Sequence, residues 1–139
     1  MTSERPGLQV PPNCDLTLGL VCTDKSEPGR TTWQAAADER FANPAGVVQG
    51  GFLAAIADSA MGAAAVTYAL REPGRKVSSA NVEMKASFFR PARVGALLTC
   101  VATVVSGGER VVFCEAEISD GDGRLVAKAS STYVLAPRD

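Results

Sequence analysis

Residues Phe52 to Leu70 form one long apolar stretch built mainly from Ala and Gly, with Asp58, Ser59 and Thr67 as its main polar members. No other feature limits the possible folds as much. A stretch of about 20 residues is close to membrane-spanning length. True spans lean on Leu and Ile, however, and an isolated Asp at bilayer depth is expensive. The segment therefore reads as a helix inside a protein core. Its small side chains allow other elements to approach its axis closely, so the rest of the chain is expected to wrap around it.

The flanking sequence supplies the wrapping. Leu16 to Thr23 and Thr31 to Phe41 read as strands joined by the turn-rich Glu27-Pro28-Gly29. After the helix, which is expected to end near Glu72 before Pro73-Gly74, everything reads as strand. Val82, Met84, Ala86 and Phe88 alternate with Glu83, Lys85 and Ser87, a half-buried pattern. Ala96 to Val105, Val111 to Ile118 and Leu125 to Leu135 follow. The turns between them are expected at Ser106-Gly107-Gly108 and Asp120-Gly121-Asp122-Gly123. A 20-residue helix is about 30 Å long, and strands of nine or ten residues span about 30–34 Å. One helix can thus lie along one curved sheet. The expected class is α+β, with strand, strand, helix and then a four-strand antiparallel meander. Residues 1–15 read as an extended N-terminal arm and 16–136 as a single domain.

Composition narrows the chemistry. Fourteen Lys and Arg against fifteen Asp and Glu give a net charge of −1, with no basic footprint for nucleic acid or anionic membrane. The chain has no histidine, so no Ser-His-Asp triad, Cys-His pair, His proton shuttle or His-ligated metal can come from it. Cys14, Cys22, Cys100 and Cys114 show no C-x-x-C spacing and read as small hydrophobes in a reducing compartment. Met1 to Pro12 lacks an apolar signal-peptide core, and a cytoplasmic location is expected.

The densest signal is Asn43-Pro44-Ala45-Gly46-Val47-Val48-Gln49-Gly50-Gly51, with Asp58 further along the helix. Gly50 and Gly51 fall at the helix N-terminus, where N–H groups lack partners and the dipole end is positive. Without side chains they leave room for a carbonyl oxygen, as in an oxyanion hole made from backbone. A glycine pair needed only for a tight turn fits the same residues. Asp58 has Ala54, Ala55, Met61 and Gly62 as same-face neighbours. Such a carboxylate either lines a cleft as a base or nucleophile, or is hydrogen-bonded to an adjacent strand. Arg90, Arg93 and Arg110 sit at strand boundaries and could hold phosphate. Met61 and Phe88, with Phe89 and Tyr68, are candidates to line an apolar pocket.

The run N-x-x-G-x-x-Q-G-G, followed nine residues after Gln49 by Asp58, resembles the hotdog-fold acyl-CoA thioesterases of the PaaI-like, phenylacetate-pathway branch. That family carries N-x-x-G-x-x-H-G-G with an Asp at the matching helix position. The resemblance covers roughly residues 16–136. It implies a hotdog fold, a curved sheet around one central helix, and hydrolysis of an aryl- or medium-chain acyl-CoA to free acid and CoA. It implies no metal and no cofactor beyond the coenzyme A thioester that is the substrate. Gly50 or Gly51 would polarise the thioester carbonyl, Asp58 would attack it or activate water, and Asn43 would place the water or order the loop. Gln49 stands where the family has His; it can donate a hydrogen bond but carries no titrating proton. The family often has a Ser or Thr just before the third-strand apolar run; the best-matching position here is Asn81, with Ser79 two residues earlier, and both would contact the substrate.

Gly50 and Asp58 are eight residues apart on one helix, so roughly 12 Å apart along its axis. One thioester carbon cannot touch both. A two-fold axis pairing antiparallel helices would bring the glycine end of one to Asp58 of the other, twice. A homodimer with shared sites is therefore expected, and a dimer of dimers is compatible with it. A non-catalytic acyl-CoA-binding or regulatory hotdog protein is the alternative reading. A hotdog dehydratase or hydratase fits less well, because that chemistry uses a His.

Overall fold

A computed structural model describes residues 10–138 of the chain. A short helix, α1 (Asn13–Leu18), leads to strands β1 (Val21–Asp24) and β2 (Arg30–Ala36). The long helix α2 (Gly50–Ala69) follows, and then β3 (Val77–Phe88), β4 (Leu97–Gly107), β5 (Val111–Ser119) and β6 (Leu125–Pro137). The six strands form one antiparallel sheet in the order β1-β2-β4-β5-β6-β3.

The helix-in-sheet arrangement is as the apolar stretch demands. α2 packs against β2 through β6. Ala60, Met61, Ala64, Ala65 and Ala69 are fully buried against inward-facing residues such as Leu98, Cys100, Ala102, Val112, Cys114 and Ile118. Burial of this apolar area is the main favourable term in the fold. Thr31, also buried, donates its hydroxyl to the Ala60 carbonyl at 2.8 Å and ties the sheet to the middle of α2.

Several expectations need correcting. Residues 16–18 belong to α1 rather than to a strand, because Gly19 at φ +66° takes a left-handed turn and its N–H closes on Asp15 and Leu16. Residues 1–9 of the expected arm lie outside the described residues, while Asn13 to Asp15 are helical rather than extended. The second strand stops at Ala36; Asp38 then accepts the Arg40 N–H at 2.8 Å and turns Glu39–Phe41 into a 3₁₀ turn. The last four strands are not a simple meander. β4 pairs with β2, and β3 lies at the far edge beside β6, so residues 89–96 cross from one side of the sheet to the other.

Two smaller features shape the surface. The β4–β5 turn falls two residues later than expected. Gly107 remains in β4 beneath the ring of Tyr68, where an added Cβ would lie 2.5 Å from a ring carbon, and its carbonyl accepts the Tyr68 hydroxyl at 3.0 Å. In β3, Asn81 pairs with Tyr133 and Glu83 with Thr132, so Val82 is an extra, unpaired residue, a β-bulge. The bulge breaks the alternation expected from Val82 onward. Met84 and Ala86 are half-buried as expected, but Val82 is 57% exposed.

Candidate active site

The loop before α2 is organised by Asn43. Its side-chain oxygen accepts the N–H groups of Ala45 at 2.9 Å and Val47 at 3.4 Å, and its backbone N–H donates to the Val47 carbonyl at 2.8 Å. Gly46 completes the turn at φ +78°. Asn43 thus orders the loop. Val48 and Gln49 are then pinned through their N–H groups to Ala92 and Phe41, and the helix begins at Gly50.

At that start the N–H groups of Gly50 and Gly51 have no acceptor among the described residues. The two glycines differ. A Cβ on Gly50 would sit 3.1–3.3 Å from the Phe88 ring, whereas one on Gly51 would meet nothing within 4 Å. Gly51 therefore offers an exposed, unhindered donor at the positive end of a 20-residue helix. Gln49 caps the helix by position only: its exposed side chain makes no hydrogen bond among the described residues.

Asp58 lies two turns further along α2. In the single chain it is exposed rather than buried, because the sheet covers only the other side of the helix. It is nevertheless held. The Tyr133 hydroxyl donates to its Oδ1 at 2.6 Å, and Asn81 Nδ2 donates to the same oxygen at 2.9 Å. Asn81 Nδ2 also lies 3.2 Å from Ser131 Oγ and 3.3 Å from Tyr133 Oη. Asp58 is thus hydrogen-bonded to the adjacent strands, β3 through Asn81 and β6 through Tyr133, and is open to solvent in the single chain. Burial, reinforced by the Asp58 carboxylate, holds the Tyr133 phenol well above its ordinary range, so it stays a donor. The other sequence candidate on β3, Ser79, reaches the Gly62 carbonyl at 3.4 Å, about one helical turn beyond Asp58.

The remaining candidates divide. Phe88, 50% exposed, stands over Gly50 and lines a groove of about 390 Å³ with Val48, Leu53, Phe89 and Arg90. Arg90 and Pro91 continue into a second groove of about 590 Å³ that contains Arg93, Arg124, Asp120 and Asp122. Arg124 is paired with both aspartates, while Arg90 and Arg93 have no ion-pair partner among the described residues. Met61 is fully buried under the sheet and lines neither groove, so it is a core residue. Arg110 follows the Gly107–Tyr68 contact at the C-terminal end of α2, roughly 27 Å along the axis from Gly50. It does not join Arg90 and Arg93 within one chain. No cluster of His, Cys, Asp and Glu among the described residues could hold a metal. Cys100 and Cys114 are buried, their thiols pushed up to about 12.

Sequence reading missed Tyr133 and Ser131. Both sit in a β6 stretch of core-like alternation, and nothing local marks them as facing Asp58. The bulge at Val82 is equally silent, yet it is what lets Asn81 face inward across from Tyr133 while Met84, three residues on, also faces inward.

Residues 45–127, more than half of the chain, match the Thioesterase superfamily. The chain belongs to the thioesterase superfamily. Its relatives include acyl-coenzyme A thioesterase 13 of Homo sapiens, 24% identical over 124 residues, covering 88% of this chain and 85% of that protein. Among solved structures, the E. coli PaaI protein from the phenylacetic acid degradation operon superposes with a TM-score of 0.80 at 20% identity, covering 88% of this chain and 83% of that one. A hypothetical thioesterase protein of Streptococcus pneumoniae, solved with coenzyme A, gives 0.80 at 16% identity, covering 90% and 93%. These likenesses establish the hotdog fold, and the family makes this thioesterase a thioester hydrolase.

Proposed function

We propose that this thioesterase hydrolyses an aryl- or medium-chain acyl-CoA to the free acid and CoA, as a homodimer with two sites built across the subunit boundary. The observation that carries the reading is the separation of two complementary elements on one helix. Gly51 presents an open N–H donor, and Asp58 presents an anchored, exposed carboxylate about 10 Å further along. Each is incomplete alone.

In the composite site the N–H of Gly51, with that of Gly50, receives the thioester oxygen as negative charge develops on it. The Gln49 amide donates to the same oxygen. Asp58 of the other subunit takes a proton from the attacking water, or adds to the carbonyl carbon and is released by water afterwards. The C–S bond breaks, and the CoA thiolate leaves and is protonated. The groove under Phe88 suits the apolar part of the substrate, and the unpaired Arg90 and Arg93 beside it suit the nucleotide phosphates.

The surface also favours pairing of two chains. β3 is a 12-residue edge strand with one side unpaired, carrying exposed Val82 and Phe88, and the uncovered face of α2 is lined by Gly51, Ala54, Ala55 and Asp58. A long unpaired edge of this kind invites a second strand. The four unpaired cysteines suit a reducing compartment such as the cytoplasm.

The test is thiol release across a panel of aryl and aliphatic acyl-CoAs, combined with the solution mass. Turnover of one or more thioesters by a dimer is expected. Tight binding of acyl-CoA without release of CoA would favour the non-catalytic alternative.

A further inference from the structure

The two oxygens of Asp58 are treated differently. Oδ1 receives both the Tyr133 hydroxyl, at 2.6 Å, and Asn81 Nδ2, at 2.9 Å. Oδ2 receives no donor among the described residues. We infer that Tyr133 is a positioning residue, which together with Asn81 fixes the Asp58 carboxylate by Oδ1 and leaves Oδ2 as the reacting oxygen. The inference rests on the thioesterase reading and assigns a role within it.

Tyr133 is suited to that role by its surroundings. Its ring is 2% exposed on the inner face of β6, so the hydroxyl cannot swing away. The oxygen lies 3.3 Å from Asn81 Nδ2, which can donate to it, and this leaves the single phenol proton for Asp58. The same hydroxyl is 3.0 Å from the Asp58 backbone carbonyl, so it is set against both ends of the residue it holds. Asp58 itself has no packing to restrain it, since it stands on the open face of α2. Without the phenol, the carboxylate on that face could adopt several rotamers, of which only some present a free oxygen at the attack position. The rival account makes Tyr133 a core ring whose hydroxyl merely finds the nearest acceptor.

Tyr133→Phe keeps the ring and removes only the donor. If Tyr133 positions Asp58, kcat falls by about 10–100-fold while KM stays within about twofold, because the phenol touches no substrate. In an Asp58→Ala background the same change should alter the residual rate by less than about twofold, since there is no longer a carboxylate to position. A Tyr133→Phe protein at the parent kcat, or an equal loss in both backgrounds, overturns the role. Crystals of parent and Tyr133→Phe supply a readout independent of turnover. A reoriented or multiply placed Asp58 carboxylate supports the inference, and an unchanged one refutes it. A parent that releases CoA from no thioester would sink the thioesterase reading, and the crystals would still decide what Tyr133 does.

Discussion

An Asp58→Ala chain keeps the open helix start, and a Gly51→Val chain keeps the anchored carboxylate. Gly51 has nothing within 4 Å of an added Cβ, so a valine there fits its own subunit and obstructs only what approaches from outside. Asp58 is exposed, so its truncation leaves no cavity. Both proteins should fold. Each alone should be nearly inactive: loss of a positioned base costs about 10²–10⁴-fold, and loss of access to a backbone oxyanion donor about 10²–10³-fold. Equal amounts, unfolded together and refolded, assort into heterodimers in about half of the dimers, and each heterodimer holds one site with both elements intact and one with neither. The mixture should therefore recover about one quarter of the parent activity, and heterodimers isolated on two tags about one half. The gain over either variant is tenfold or more, well outside assay error. A self-contained site predicts the opposite, because no subunit in the mixture carries both elements. Verified heterodimers that stay at the level of the single variants, or an active monomeric parent, would refute the shared-site geometry.

Gln49 makes no side-chain bond among the described residues, so Gln49→Ala should leave the melting temperature unchanged. It should cost about 1–3 kcal/mol of transition-state stabilisation, or roughly 10–100-fold in kcat/KM; a lowered melting temperature with unchanged kinetics would make Gln49 a brace. The two glycines should respond to alanine by different amounts in thermal melts. Gly51→Ala should stabilise by about 0.5–1 kcal/mol, whereas Gly50→Ala should stabilise less, because the half-exposed Phe88 ring must first move by a few tenths of an ångström; equal shifts would refute this. Cys100 and Cys114 hold their protons more tightly folded, up to about 12, than at their ordinary value of 9.0. The unfolded chain thus binds fewer protons in that window, so stability is full below about pH 9 and falls as pH rises toward 12. Tyr133 adds to the same slope. Urea midpoints that stay flat from pH 8 to 11 would contradict this.

The parts of the site that share one helix were legible in the sequence. Helical spacing is rigid, so the positions of Gly50 and Asp58 along the axis follow from counting residues, and the apolar stretch between them has little choice but to be buried on one side. What pairs across strands was not legible. The sequence of β3 gives no sign that it lies beside β6 rather than β4, because that choice is made by the crossing of residues 89–96. Tyr133 meets Asp58 through that pairing, 75 residues away in the chain. Met61 was misplaced for a related reason: helix periodicity puts it near Asp58, but only the sheet's position decides which side of the helix is covered. Arg110 resembled Arg90 and Arg93 in local context and is separated from them only by the length of α2.

The unpaired Val82 has a consequence for how this strand tolerates change. Its side chain is exposed and contributes little to the core, so a conservative replacement should matter little. Its place in the count is dispensable as well. Deleting it would leave Asn81 opposite Tyr133, Glu83 opposite Thr132 and Met84 opposite Ser131, a regular ladder in which Asn81 and Met84 stand two apart and still share the inner face. Asp58 would keep its β3 anchor, and only the local bend and added twist of the bulge would be lost. Position 82 is slack in the strand: a frame-preserving loss of one codon, which would turn a face outward in a regular strand, here closes the bulge and leaves both faces in place.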